Sequence, residues 1–198
     1  MQITMTALRT LCILFASMAS AGVVAAVEKP IELFNGKTLD GWKVRKCEAE
    51  VRGGAILIKA GNGMVETKNK FTDFVLELDW KALQEKFWDS GIYFHYAEVP
   101  KKAAWPPRYQ VNLAKGDEGN LVGIKEATSK GLVKDHEWNH FKLTCQGTRC
   151  SLEINGKAAW AVDGVQEVRG PIGLQSEVPA GGQFLFRNIR ITPLDDAK

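Results

Sequence analysis

Residues 71–81, FTDFVLELDWK, decide the fold class, because large apolar side chains fall at every second position. Phe74, Leu76, Leu78 and Trp80 form this series, and the positions between them carry a valine and two acids. Such alternation is the period of a strand with one buried face, whereas a helix groups residues three and four apart. The stretch therefore predicts a half-buried β-strand.

The same alternation recurs in short segments separated by glycine, proline and polar turns. These segments are GGAILIKAG (53–61), SGIYFHY (90–96), RYQVNLA (108–114), HFKLTC (140–145), SLEING (151–156), PIGLQSE (171–177) and FLFRNIRITPL (184–194). No segment shows a helical period with a cap at both ends. Many short strands with polar turns predict an all-β fold, a sandwich or jelly roll of two antiparallel sheets.

The N-terminal stretch is typical of a secretory signal peptide. Arg9 precedes an apolar run from Leu11 to Val24, and small residues follow up to Ala26. A membrane anchor is the alternative, but the run is shorter than the ~20 apolar residues that a spanning helix needs. We therefore expect a signal peptide over residues 1–26, one domain over 27–198, and a secreted or periplasmic protein.

The amino-acid composition and net charge indicate which kinds of partner the protein is suited to bind. Hydrophobic residues make up 45% of the 198 residues and charged residues 25%, which is typical of a globular protein. The net charge of +3 is spread along the chain without a basic cluster. We therefore expect neither a nucleic acid nor a membrane as partner, and no membrane span.

Three cysteines remain after cleavage of the expected signal peptide. Cys145 and Cys150 flank a four-residue turn, QGTR, between two predicted strands, which would place their sulfurs opposite each other. In an oxidising compartment this arrangement predicts a hairpin disulfide, and two half-buried thiols are the alternative. Cys47 is then left over, either buried or unpaired.

Polar side chains recur on the strand positions opposite the apolar ones. They are Glu77 and Asp79; Tyr93 and His95; Arg108, Gln110 and Asn112; and Gln175 and Glu177. If these strands are neighbours, the side chains form one patch of acids, amides, an aromatic ring and a histidine. Amides and carboxylates bind hydroxyl groups, and an aromatic ring packs on a pyranose, so the patch suits a sugar. The alternative is that these residues are only solvated surface groups.

Several other chemistries are disfavoured. The sequence has no GxSxG, HExxH or P-loop motif. Glu77 and Asp79 resemble the start of the acid-rich strand of laminarinase-type glucanases, but Lys81 occupies the next position on that face. A retaining pair ~5–5.5 Å apart is therefore not expected on this strand. The spacing of His136 and His140 does not predict a metal site, because His140 leads into a strand.

Four segments in order resemble the 3-keto-disaccharide hydrolase domain family, formerly a domain of unknown function. They are IELFNGKTLDGWKV, DSGIYFHY, EWNHFKLTCQGTRCSLEINGK and GPIGLQSE with FLFRNIRITPL, and the resemblance runs from about Ile31 to Leu194. It implies a concanavalin A-like jelly roll in a secreted bacterial protein. It also implies cleavage of glycosides whose glucose is oxidised at C3. Where the family usually has Asn-Ser-Gly and a later arginine, this chain has Asp89-Ser90-Gly91 and His95.

The resemblance and the shared face together suggest roles for the polar residues. A ketone at C3 acidifies the C2 hydrogen, so cleavage needs a base near C2, donors to the enolate and an acid for the leaving group. We expect His95 as the base. The acid or orienting group is then Glu77, Asp79 or Glu177. Gln110, Asn112 and Gln175 are expected to donate to the hydroxyl groups or to the enolate, and Arg108 to contact the substrate. Tyr93 or Tyr109 is expected to stack on the sugar.

Two other functions stay open at this point. A non-catalytic lectin-like module would bind glycans without turnover, and an exported structural domain would bind nothing. The expected partner is a carbohydrate, an oxidised disaccharide or glycoside. No cofactor is predicted, and a structural calcium ion is left open.

Overall fold

The computed structural model describes residues 29–194, which form β-strands and no α-helix. The predicted signal peptide, residues 1–26, lies outside the described residues. The strands are β1 (Ile31–Glu32), β2 (Trp42–Arg52), β3 (Ala55–Thr67), β4 (Phe74–Ala82), β5 (Gly91–Tyr93), β6 (Gln110–Asn112), β7 (Asn139–Gln146), β8 (Arg149–Ile154), β9 (Lys157–Val162), β10 (Gly173–Val178) and β11 (Phe184–Pro193). The all-β prediction is confirmed.

The strands form one curled antiparallel sheet rather than two separate sheets. Their order is β6-β5-β10-β3-β11-β4-β7-β8-β9, with β2 paired to β3 and β1 to β11. The path is continuous because β3 is long: residues 56–58 pair with β11 and residues 61–66 pair with β10. The two predicted layers are the two halves of this sheet. We call them the β4 layer (β11, β4, β7, β8, β9) and the β5 layer (β6, β5, β10, the second half of β3, β2).

The apolar faces of the two layers enclose the hydrophobic core. The alternation predicted for β4 is confirmed, since Phe74, Leu76, Leu78 and Trp80 are each at most 1% exposed. Leu76 and Leu78 share a small internal space with apolar side chains of the β5 layer, such as Ile92. Burying a side chain of this size contributes about 1.5–3 kcal/mol. The core therefore fixes which side chains of each strand face outward.

Glycine lets β2 and β3 approach each other closely in the middle of the β5 layer. A Cβ added at Gly63 would lie 1.9 Å from the carbonyl oxygen of Arg45. The sequence prediction ended this strand at Gly61, because GNG resembles a turn, and that boundary is wrong. β3 continues to Thr67, and Val65 faces the core. Its neighbours Met64 and Glu66 therefore face outward.

Candidate functional site

Four of the predicted site residues meet on the outer face of the β5 layer. Tyr93 lies opposite Gln110 of β6 on one side and opposite Gly173 of β10 on the other. Gln175 and Glu177 follow at alternate positions of β10, so their side chains emerge on this face as well. The expectation that these strands are neighbours is confirmed for β5, β6 and β10.

These four side chains form one hydrogen-bonded series, which we call the amide chain. The Tyr93 hydroxyl donates to Gln110 Oε1 over 3.0 Å, and Gln110 Nε2 donates to Gln175 Oε1 over 2.8 Å. Gln175 Nε2 in turn donates to Glu177 Oε2 over 3.1 Å. Gly91 makes room for this series, because a Cβ there would lie 2.2 Å from Gln110 Nε2. The amides are thus held in fixed orientations.

The amide chain ends at a pair of carboxyl groups. Burial, and then the negative charge of Asp89, raises the pKa of Glu177 above its ordinary value. Burial likewise raises the pKa of Asp89. Both groups therefore keep a proton to higher pH than a solvated carboxyl does. Asp89 is the residue that replaces the asparagine expected at this position.

The segment between β5 and β6, residues 97–107, covers part of this outer face. Val99 and Trp105 pack on a small apolar cluster made by Met64, Tyr93 and Tyr96. This packing leaves Tyr93 only 2% exposed. The ring of Tyr93 is therefore covered by the chain itself and is not free to stack on a sugar.

A groove opens where this covering segment meets β2 and β3. Its volume is about 370 Å³, within the range of ligand pockets in proteins, roughly 300–1,000 Å³. It is lined by Lys43, Arg45, Glu66, Thr67, Lys68, Lys70, Ala97, Glu98, Val99 and Pro171. The groove thus combines cationic side chains with two acids.

Glu66 is the buried ionisable group of this groove. It is 7% exposed, and its Oε1 accepts a hydrogen bond of 3.0 Å from the Tyr96 hydroxyl. Its Oε2 lies 4.0 Å from Arg45 Nε, which has no hydrogen-bond partner among the described residues. Burial and the nearby Glu66 carboxylate raise the pKa of Tyr96, so this hydroxyl stays a donor. The result is a desolvated carboxylate held between a phenol and a guanidinium.

Arg45 is tied to the covering segment as well as to Glu66. Its Nη2 donates to the carbonyl oxygens of Ala103 and Ala104 over 3.1 and 3.0 Å. The Arg45 guanidinium therefore anchors the covering segment that forms one wall of the groove, and it also faces the Glu66 carboxylate. Sequence reasoning did not identify Glu66 or Arg45, although an acid inside the apolar run GMVET was a usable signal.

A sequence model of the family described as the 3-keto-alpha-glucoside-1,2-lyase-like domain matches residues 29–192 of the chain. The chain belongs to this family. The resemblance stated from the sequence is therefore confirmed. No match was found among curated proteins.

Solved structures support the fold of this lyase-like domain. A protein from Parabacteroides distasonis ATCC 8503, provisionally assigned as a glycosyl hydrolase, has a TM-score of 0.71 at 22% identity, with 84% of this chain and 100% of that chain covered. The carbohydrate-binding module CBM66 of Bacillus subtilis has a TM-score of 0.60 at 16% identity, with 77% and 95% covered. A Bacillus subtilis protein with a galectin-like fold has a TM-score of 0.59 at 10% identity, with 78% and 90% covered. The jelly-roll class is confirmed.

Over residues 29–194, no helix is long and apolar enough to cross a membrane. Over the same residues, no group of three or more His, Cys, Asp or Glu side chains is arranged to hold a metal ion. We therefore assign no ligands to the structural calcium ion that the sequence neither predicts nor excludes.

Glu77 and Asp79 lie on the outer face of the β4 layer, away from the amide chain. Arg190 holds Glu77 with two hydrogen bonds of 2.9 and 2.8 Å, and these hydrogen bonds, together with its positive charge, lower the pKa of Glu77. Asp79 Oδ1 lies 2.8 Å from His140 Nδ1, and its Oδ2 accepts a hydrogen bond of 2.6 Å from Asn188. The prediction that these acids share a face with Gln110 and Gln175 is wrong, because β4 lies between β11 and β7.

His95 is buried in the interior, so its prediction as a base in contact with substrate is corrected. Its side chain is 3% exposed, and its Nε2 lies 2.8 Å from the carbonyl oxygen of Thr72. Its ring packs at the edges of Phe74 and Phe94. β5 ends at Tyr93, and His95 adopts a positive φ of 50°, so the alternation of the strand does not continue. The break explains why position 96, not 95, joins the outer cluster.

The remaining predicted residues lie at the margin or in the core. Tyr109 is 5% exposed, stacks on Phe94 and accepts a hydrogen bond from the backbone of Gln166, so it is a core residue rather than a sugar platform. Arg108 is exposed beside the Tyr109 ring. Asn112 Oδ1 accepts a hydrogen bond from the backbone nitrogen of Ala114 within its own turn. Arg108 and Asn112 therefore flank the amide chain without joining it.

Cys145 and Cys150 face each other across the β7–β8 hairpin, as the sequence predicted. They are paired in register and buried, with their sulfur atoms 2.8 Å apart, and both are thiols in the structure. Burial raises the pKa of Cys145, so as a free thiol it would be unreactive at neutral pH. Cys47 is half-buried near the carbonyl oxygen of Met64, and burial raises its pKa too.

We predict that the protein recovered from an oxidising compartment carries the Cys145–Cys150 disulfide. Alkylation under denaturing, non-reducing conditions should then label Cys47 alone, and prior reduction should expose two more thiols. The stabilisation should lie at or below the low end of the usual range, about 2 kcal/mol, because the closed loop is short. Labelling of all three thiols without reduction would contradict the prediction.

Proposed function

We propose that this lyase-like domain is a secreted carbohydrate-active enzyme that cleaves 3-keto-glycosides in the groove of the β5 layer. The observation that carries the proposal is Glu66, a buried carboxylate between the Tyr96 hydroxyl and the Arg45 guanidinium in a sugar-sized groove. Membership of a family described by 3-keto-glucoside chemistry supports the same reaction.

The chemistry requires a base at C2 and positive charge near O3. A ketone at C3 makes the C2 hydrogen acidic, so a base can remove that proton and leave an enolate. The electron pair then forms the C1–C2 double bond while the bond from C1 to the leaving oxygen breaks. The departing oxygen takes up a proton, and addition of water to the double bond completes hydrolysis.

Glu66 supplies the base in this scheme. Its side chain is buried at the groove, and Tyr96 holds one of its oxygens in place. Arg45 lies next to the same carboxylate, and its positive charge stabilises the developing enolate. Glu66 then carries the C2 proton and returns it to the departing oxygen.

The amide chain serves substrate binding rather than proton transfer. Gly173 lies opposite Glu66, and Glu177 lies opposite Asn62, four residues further along β10. At ~3.3 Å per residue, Glu66 and Glu177 are about 13 Å apart along the sheet, too far to act on one glycosidic bond. We propose that Gln110, which is half-buried, binds a hydroxyl group of a neighbouring sugar, and that the buried Gln175 and its partner Glu177 hold Gln110 in orientation.

Release of an aglycone from a chromogenic 3-keto-glucoside tests the proposal. We expect the purified chain to release the aglycone faster than buffer does, and to leave the unoxidised glucoside intact. The unoxidised compound is the matched control because it lacks only the acidified C2 hydrogen. Equal release from both compounds, or none from either, would contradict the proposal.

A carbohydrate-binding module without turnover is the second candidate. One observation favours it: a carbohydrate-binding module shares the fold. A binder should retain unoxidised oligosaccharides, whereas the enzyme should prefer the ketone. Calorimetric titration of both compounds separates the two candidates.

A further inference from the structure

We propose that the groove selects saccharides that carry an anionic substituent, a carboxylate, sulfate or phosphate group; this inference rests on the proposed function for its choice of groove. Four cationic side chains line the groove, Lys43, Arg45, Lys68 and Lys70, against two acids, Glu66 and Glu98. The lining therefore carries an excess of two positive charges.

The charges of the groove lysines are not neutralised within the protein. Arg45 is the cation that faces Glu66. Among the described residues, no carboxylate lies within 4.0 Å of the ammonium groups of Lys43, Lys68 or Lys70. Lys70 donates only to the carbonyl oxygen of Ala97, over 3.3 Å. These ammonium groups can therefore bind an anion without first breaking an ion pair.

Lysines elsewhere on the described surface are of both kinds: some are paired with a carboxylate, and others, such as Lys37 and Lys157, are not. The lysines with a carboxylate within 4.0 Å are Lys59, Lys115, Lys134 and Lys142. What distinguishes the groove is that three unpaired lysines line one hollow. An uncompensated group of cations around a concave surface raises the local concentration of anionic ligands. The unpaired lysines of the groove are thus suited to the charged end of a substrate.

The cationic surface also continues past the groove. Lys70 lines a second depression, which it shares with Arg169 and Asp73 and which has a volume of about 460 Å³. Lys70 therefore lies between two adjacent hollows of the surface. A saccharide whose oxidised ring sits at Glu66 could place its anionic substituent near Lys68 and Lys70.

Calorimetric titration with four unoxidised disaccharides tests this inference. The disaccharides differ only at C6 of one ring, which carries a hydroxyl, a carboxylate, a sulfate or a phosphate group. At low salt we expect at least one anionic compound to bind about tenfold tighter than the neutral one, and the tightest identifies the substituent. At about 1 M salt, where the Debye length is about 3 Å, the preference should disappear. Equal affinity for all four compounds at low salt would overturn the inference.

A pair of double variants localises the effect. Lys68→Gln with Lys70→Gln should remove most of the anion preference. Lys37→Gln with Lys157→Gln changes the net charge equally at exposed positions outside the groove and should leave the preference intact. An equal loss in both double variants would overturn the assignment to the groove. Because these titrations use unoxidised sugars and need no turnover, their result does not depend on whether the 3-keto-glycoside is cleaved.

Discussion

Replacing Glu66 with glutamine should lower kcat on a 3-keto-glucoside by about 10²–10⁴-fold, the usual contribution of a general base. Glutamine keeps the shape of the side chain and can still accept the hydrogen bond from Tyr96, but it cannot take the C2 proton. We expect binding of the intact substrate to change far less than kcat. Steady-state kinetics, with the binding constant measured separately by calorimetry, gives both quantities.

Glu98→Gln is the matched control for this variant. Glu98 lines the same groove and undergoes the same change of charge, but it is exposed and has no role in the proposed chemistry. Its kcat should stay within a few-fold of the unsubstituted protein. A kcat for Glu66→Gln that equals the kcat for Glu98→Gln would remove Glu66 from the mechanism.

Replacing His95 with asparagine should destabilise the fold while leaving the chemical step nearly unchanged. The variant loses the contacts with Phe74 and Phe94 and the hydrogen bond to the Thr72 carbonyl oxygen. The loss of these contacts should cost about 0.5–3 kcal/mol, the usual range for a destabilising substitution. Asparagine tolerates the positive φ at this position, so backbone strain adds little. Urea unfolding measures the stability, and kcat is measured well below the unfolding midpoint.

His136→Asn controls for the change of residue type. His136 also has a positive φ, 59°, but its side chain is exposed. We expect a change in the free energy of unfolding of about 1 kcal/mol or less, because the exposed His136 loses its edge contact with Trp88. If His95→Asn kept full stability but lost activity as Glu66→Gln should, His95 would be the base after all.

The fold class was predictable from local pattern, because the alternation of apolar and polar residues within each strand indicates which face of that strand is buried. The alternation along β4 depends only on neighbouring residues, and the structure buries the predicted side chains. The four segments that resemble the family add only that the strands follow one another along the chain in the family's order. What local pattern does not contain is the order of strands in the sheet. The sequence pattern therefore predicts Glu77 and Gln110 on one patch, although β4 and β6 lie in different layers.

The candidate site was only partly predictable because its residues depend on breaks in the pattern. Gly61 and Gly63 are residues typical of a turn, but here they lie within a strand. They allow β2 to pass close to β3, and β3 continues beyond them to Glu66. The positive φ at His95 reverses the expected faces, so the histidine enters the core and Tyr96 joins the outer cluster, where its hydroxyl reaches Glu66. Strand parity identified the amide chain correctly where β5, β6 and β10 are regular.

The isotope dependence of cleavage tests the central claim most directly. A 3-keto-glucoside deuterated at C2 should release its aglycone more slowly than the protiated compound, and the product sugar should lose its deuterium to the solvent, since removal of the C2 proton precedes loss of the leaving group. Buffer alone and Glu66→Gln correct for spontaneous exchange. Equal rates for the two compounds, with deuterium retained at C2 of the product, would contradict elimination at this groove.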